Sequence, residues 1–211
     1  MQTLPKLLLL ISFLFVSTFS IVAVKANPLL YPQIGSPNTQ TYSFTATTTG
    51  EIGGYFLGSS AAYTNTVSLL INGVITPESS SGLFNNHTSN FGDYVVFGYA
   101  NAGDVLTFQV KVANTGQTWS SDLSKNSDHV NHLFSKSYSG DADNGLLPAG
   151  AYLGFEDIQG GGDLDYNDEA FFVTNVTVSP VPEPETYAML LIGLGLIFSF
   201  TKHSRKRITA Q

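Results

Sequence analysis

Glu156-Asp157 and, five residues later, Asp163-Leu164-Asp165-Tyr166-Asn167-Asp168 place five carboxylates and a side-chain amide within thirteen residues, separated by Gly160-Gly161-Gly162. Oxygen donors at alternate positions, Asp163, Asp165 and Asn167, can fold around one hard cation when glycines free the backbone, and Glu156 with Asp157 lies across the loop. Calcium suits such a set, because it takes six to eight oxygens in loose geometry, whereas magnesium demands a stricter octahedron and zinc prefers His or Cys. At an effective dielectric near 20, each close carboxylate pair costs roughly 1 kcal/mol or more without a counterion. The expected ligands are therefore Glu156, Asp157, Asp163, Asp165, Asn167 and Asp168, and the expected cofactor is calcium. The competing reading is a solvated hairpin loop in which Asp and Asn close Asx-turns on their own backbone.

The loop begins like an EF-hand but departs from it twice. Asp168 stands where the sharp-turn glycine belongs and Thr174 where the bidentate glutamate belongs. The run Gly154-Phe155-Glu156-Asp157, a glycine stretch, then Asp165-Tyr166-Asn167-Asp168 resembles the signature of a domain of unknown function common in exported bacterial surface proteins. That resemblance covers roughly residues 128 to 178 and implies Glu156, Asp157, Asp165, Asn167 and Asp168 as characteristic residues, with Asp163 beside them.

Other chemistries find less support. Glu156 with Asp165 could imitate a glycosidase acid and nucleophile, yet acids packed into a glycine loop are better placed to share a cation, so no catalytic residue is expected. The chain lacks a Gly-x-Ser-x-Gly elbow, a Walker lysine and a His-Glu-x-x-His. His129 and His132 are three apart in a segment that reads as loop or strand, and both are expected at the surface. Trp119, the single tryptophan, could stack on a pyranose ring, which makes a carbohydrate-binding module the alternative function; a lone tryptophan is more often a core or loop anchor, because it buries a large area wherever it packs. Residues 27 to 180 hold fourteen Asp and Glu against Lys111, Lys125 and Lys136, a net of −11. Phosphate binding needs a basic surface, so nucleic acid is excluded as a partner.

These residues must be positioned by strands. Thr41 to Thr47 alternates Tyr42, Phe44 and Ala46 on one face, and Glu51 to Leu57, Val67 to Ile71, Tyr94 to Tyr99, Val105 to Val112, Tyr152 to Asp157 and Ala170 to Val178 follow. Asn72-Gly73 before Val74-Ile75 is a type I′ hairpin signal. Residues 114 to 145 read as a long irregular excursion. About eight short strands with Gly- and Asn-rich turns predict an all-β protein, a single jelly-roll-like β-sandwich flanked by an N-terminal signal segment and a C-terminal membrane helix; a closed barrel is the rival. With no cysteine, the sandwich must be stable without disulfides, which a body of this size allows.

The two ends carry addresses. Lys6, an apolar core from Leu7 to Val24 and the small-residue site Val24-Lys25-Ala26 predict a signal peptide, residues 1–26, cleaved after Ala26. Residues 27–40 read as a flexible leader and 41–178 as the sandwich. A linker, 179–186, contains Pro182-Glu183-Pro184; an apolar segment, 187–201, and a basic tail, 202–211, with Lys202, Arg205, Lys206 and Arg207 as the stop-transfer charges, complete the chain. A helix from Thr186 to Thr201 would be about 24 Å long, short of the hydrocarbon core unless Lys202 and Arg205 snorkel. This order resembles the PEP-CTERM sorting signal of Gram-negative bacteria. The resemblance implies export across the inner membrane, transient anchoring, cleavage near Pro-Glu-Pro by an exosortase, and delivery to the cell surface or an exopolysaccharide matrix. The function expected from all this is a structural or adhesive one.

Overall fold

The computed structural model describes residues 30–139, 148–182, 189–194 and 196–197. Among them eleven strands are found: β1 Thr41–Ala46, β2 Gly50–Gly58, β3 Asn65–Ile71, β4 Val74–Ile75, β5 Tyr94–Ala100, β6 Val105–Val112, β7 Thr118–Ser120, β8 Leu133–Tyr138, β9 Gly150–Phe155, β10 Glu169–Thr174 and β11 Val176–Val181. They form two antiparallel sheets. One runs β11-β1-β6-β3-β4, with β7 also paired to β6, and the other runs β5-β2-β10-β9-β8.

Period-two alternation sorts the side chains. Phe44, Leu69 and Phe108 from the first sheet meet Ile52, Phe97, Leu153 and Phe171 from the second in one buried core. Phe97 and Phe171 each lie 6.0 Å from Phe108 across the gap, and every such ring removed from water contributes about 1.5–3 kcal/mol. Phe84, in the loop after β4, turns back at φ +53 to reach Phe97 and Phe171.

The expected Asn72-Gly73 hairpin is present. Both residues have positive φ, 49° and 83°, and Leu70 pairs with Ile75. Three expectations need correction. The excursion after residue 114 is not structureless, because β7, a 3₁₀ turn at Leu123–Lys125 and β8 lie within it. Residues 30–40 are not a loose leader: Tyr31 and Asn38 are buried, and the Asn38 amide N–H donates to Tyr166 Oη at 2.8 Å. The last predicted strand is two strands, β10 and β11, which belong to different sheets.

Asn175 makes that switch. At φ +59 it turns the chain from one sheet to the other, and its Oδ1 accepts from Thr48 N at 2.8 Å while its Nδ2 donates to Thr48 O at 2.9 Å and Glu51 O at 3.1 Å. Asparagine tolerates the left-handed region better than alanine, and alanine would make none of these bonds. Asn175→Ala is expected to destabilise the domain by about 2 kcal/mol, measured by equilibrium urea unfolding.

A third layer covers the outer face of the second sheet. Tyr31, Phe134, Tyr152, Tyr166 and Ala170 form a separate cluster there, and this layer carries the acidic loop. Ala26, Glu183, Pro184, Lys202, Arg205, Lys206 and Arg207 lie outside the described residues, as do residues 187, 188, 195 and 198–201 of the expected membrane segment. Among the described residues no helix is long and apolar enough to cross a membrane.

Candidate metal centre

The loop from Glu156 to Asp168 joins β9 to β10 and folds back over the second sheet. Inward residues of β9, Ala151, Leu153 and Phe155, belong to the inter-sheet core, and Tyr152 belongs to the outer cluster. The strand alternation continues one step past its formal end, since Glu156 N–H donates to His132 O at 2.9 Å. Glu156 thus leaves toward the outer layer and Asp157 toward the core. Two neighbouring acids serve opposite faces.

On the outer side, Glu156, Asp163 and Asp165 each present one carboxylate oxygen, and these three oxygens lie within 4.8 Å of one another. Glu156 is fully buried; its Oε1 accepts from the Tyr166 amide, and its Oε2 has no protein partner. A Cβ on Gly162 would stand 3.0 Å from that Oε2, so glycine there keeps the approach to the carboxylate open. Asp165 accepts from both the backbone and the side-chain amide of Asn167, whose own Oδ1 remains buried and unpartnered.

The backbone that gathers these groups is unusual. Gly160, Gly161 and Gly162 have φ of 83°, 88° and 55°, and Leu164 and Tyr166 follow at 58° and 57°. A bulky residue in that region costs roughly 1–2 kcal/mol. Tyr166 is held there by burial, by an edge-on contact with Tyr31 at 4.6 Å and by an Oη–H donated to Asn131 O at 3.2 Å. Gly35 N–H donates to Leu164 O at 3.1 Å, so the segment before β1 also pins the loop.

Burial, partly opposed by the Tyr166 amide and reinforced by Asp168, Asp163 and Asp165, pushes the Glu156 carboxyl up to about 8. Asp165 is raised by burial and then by Asp163. A divalent cation would favour the ionised forms of all these groups.

Asp157 and Asp168 do not join the trio. Asp157 Oδ2 accepts from Asn65 Nδ2 at 2.8 Å, its carbonyl accepts from Trp119 Nε1 at 2.8 Å, and its N–H donates to Asp168 Oδ2 at 3.0 Å. The six expected ligands are therefore split: Glu156, Asp163 and Asp165 converge, Asn167 bonds Asp165, Asp157 reaches Asn65, and Asp168 accepts from Asp157.

Trp119 also needs correction. It has no exposed surface, stacks on His132 at 3.8 Å and 6°, and anchors Asp157, so it offers no face to a sugar. His132 is likewise buried rather than at the surface, with Nε2 at 2.9 Å from Asp128 Oδ2 and Nδ1 at 3.1 Å from Glu156 O; His129 is exposed, as expected. For Asp128, burial works to raise its carboxyl, but the Gly160 and Val130 amides and His132 outweigh it and hold the group below its ordinary range.

Sequence reasoning passed over Asn65 and Glu169, both fully buried. Glu169 precedes Ala170 in the alternation of β10 and so shares the face of Phe171 and Val173. That parity was a usable signal.

Residues 75–175 match the family model described as Domain of unknown function (DUF4114), and residues 180–206 match the PEP-CTERM protein-sorting motif. No curated protein and no solved structure matches the chain. The first match spans the acidic loop and both strands that hold it, and the second begins at Pro180 within β11. A β-rich body that is similar over residues 75–175 to this domain is thus followed by the sorting motif, and the motif implies an exported protein, sorted to the cell surface of a Gram-negative bacterium through an exosortase-type enzyme.

Proposed function

We propose that the exported domain is a non-catalytic β-sandwich that takes up calcium at Glu156, Asp163 and Asp165 and serves as a structural or adhesive component of the cell surface or exopolysaccharide matrix. The observation that carries this reading is the convergence of three carboxylate oxygens within 4.8 Å, one of them on a fully buried side chain with an unpartnered oxygen. Asn167 supplies a carbonyl, and the open side at exposed Asp163 leaves room for water, which together meet the oxygen demand of calcium. Calcium is available outside the cell, so the ion would enter after export and hold the loop on the sheet.

The run Gly154-Phe155-Glu156-Asp157 to Asp165-Tyr166-Asn167-Asp168 is on this reading the signature of the matched domain. The carboxylates converge on one point, and Glu156 is sealed behind the loop, an arrangement that favours cation binding over attack on a glycosidic bond. Before processing near Pro182-Glu183-Pro184, the apolar segment after the linker would anchor the chain in the membrane.

Thermal melts of the full-length chain in detergent, with calcium and with EGTA, test the metal. At free calcium a hundred times the dissociation constant, the ion is expected to add about 2.7 kcal/mol, a rise in Tm of roughly 5–11 °C. Asp163→Asn with Asp165→Asn is expected to lose the part of that rise due to the outer trio. An equal melt of the unmodified chain in both buffers would remove the calcium reading.

A further inference from the structure

We infer that the inward side of the same loop builds a second, buried cation site from Asn65, Asp157 and Glu169, which ties one sheet to the other. It uses residues separate from the outer trio and stands or falls apart from it.

Strand parity brings the group together. Glu169 pairs in register with Phe155, and both point into the gap between the sheets with Phe171. Asp157 lies two residues beyond Phe155 on that same side, while Asp168, the residue before Glu169, accepts the Asp157 N–H. The third member comes from the opposite sheet: Asn65 opens β3 and reaches Asp157 through Nδ2 at 2.8 Å. Trp119 of β7, also in the opposite sheet, fixes the Asp157 carbonyl.

Glu169 has no exposed surface, and neither of its carboxylate oxygens has a hydrogen-bond partner in the protein. Asn65 is equally buried, and its Oδ1 is unpartnered as well. A buried carboxylate left alone costs several kcal/mol, so native proteins seldom keep one. Asp157 and Asp168 are acids whose charges act on Glu169, and the Asn65 amide gives one of its N–H groups to Asp157. One hard divalent cation answers these open oxygens: it takes carboxylate oxygens from Glu169 and Asp157 and the carbonyl of Asn65, all ligand types that calcium accepts. In chemical class the site is an all-oxygen calcium site, closed and structural.

The test counts ions. Full-length chain in detergent is equilibrated with calcium, gel-filtered into low-calcium buffer and assayed by atomic emission. Two ions per chain are expected, falling to one in Glu169→Gln and to one in Asp163→Asn with Asp165→Asn. If Glu169→Gln keeps the unmodified number, the inner site is overturned and the outer one stands. If the chain holds a single ion that only Glu169→Gln removes, the inner site is upheld and the outer reading fails; no ion at all overturns both.

A second measurement does not depend on the folding of Glu169→Gln. Trp119 is the single tryptophan and touches Asp157, so terbium in the inner site should emit when the indole is excited. That emission is expected to persist in Asp163→Asn with Asp165→Asn and to be competed by calcium. Its absence in that variant would overturn the inner site.

Discussion

Trp119→Ala is expected to lower the free energy of unfolding by about 3–5 kcal/mol, a large fraction of the roughly 5–15 kcal/mol that holds a domain folded. The side chain is wholly buried, stacks on His132 at 3.8 Å and donates to Asp157 O at 2.8 Å. Removing it opens a cavity between β7 and β8, frees one face of a buried imidazole and leaves a buried carbonyl without its donor. Trp119→Phe separates these effects, since it keeps most of the ring but gives up the hydrogen bond, and should cost nearer 1 kcal/mol from that bond, with a further share from lost volume. Urea unfolding of the three chains measures both. A loss below that of the phenylalanine variant would contradict the anchoring role and return the tryptophan to the surface chemistry first expected of it.

Gly154→Val should detach the acidic loop while the inter-sheet core survives. A Cβ at residue 154 would fall 2.2 Å from the backbone oxygen of Tyr166 and 2.8 Å from Tyr152 Oη. No rotamer relieves a clash with backbone, so the loop must lift or β9 must shift, at a cost of about 3 kcal/mol. Because Tyr166 N–H is what orients Glu156 Oε1, lifting it should also weaken calcium binding by about 10–100-fold, the usual penalty for losing an outer-shell support. Gly160→Ala is the control. A Cβ there meets nothing within 4 Å, and only its φ of 83° is strained, which should cost about 1 kcal/mol. Calcium titration by calorimetry, with urea unfolding alongside, distinguishes the two. Equal affinities for the valine variant and the unmodified chain would show that the loop does not depend on its seat over Gly154.

Several elements were legible because their signals are local. Val105–Val112 is a strand with the predicted bounds, and Thr41–Ala46 differs by one residue, because alternating apolar residues define both strands without help from distant chain. Asn72-Gly73 is likewise a local matter, as its two left-handed residues follow from residue type. Elsewhere distant partners intervened. The excursion after residue 114 looked irregular because Ser, Asn and Asp dominate it, yet Trp119 pairs opposite Val110 and Leu133 opposite Phe155, and those partners supply the ladder that composition concealed. The segment before β1 looked loose for the same reason, and Tyr166, more than a hundred residues away, holds it.

Composition and order alone settled that the chain is exported and sorted, that its body is built of strands, and that acids crowd onto one glycine-rich loop, since each of these depends on residue type within a short window. Only the folded chain decided which acids meet. Glu156 and Asp157 are neighbours in sequence, but a strand sends consecutive side chains to opposite faces, so one joins Asp163 and Asp165 outside the second sheet and the other meets Asn65 between the sheets. That division rests on the strand pairing that carries β9 past Phe155 and on the approach of a residue ninety-two positions earlier in the chain, neither of which is written in the spacing of the loop itself.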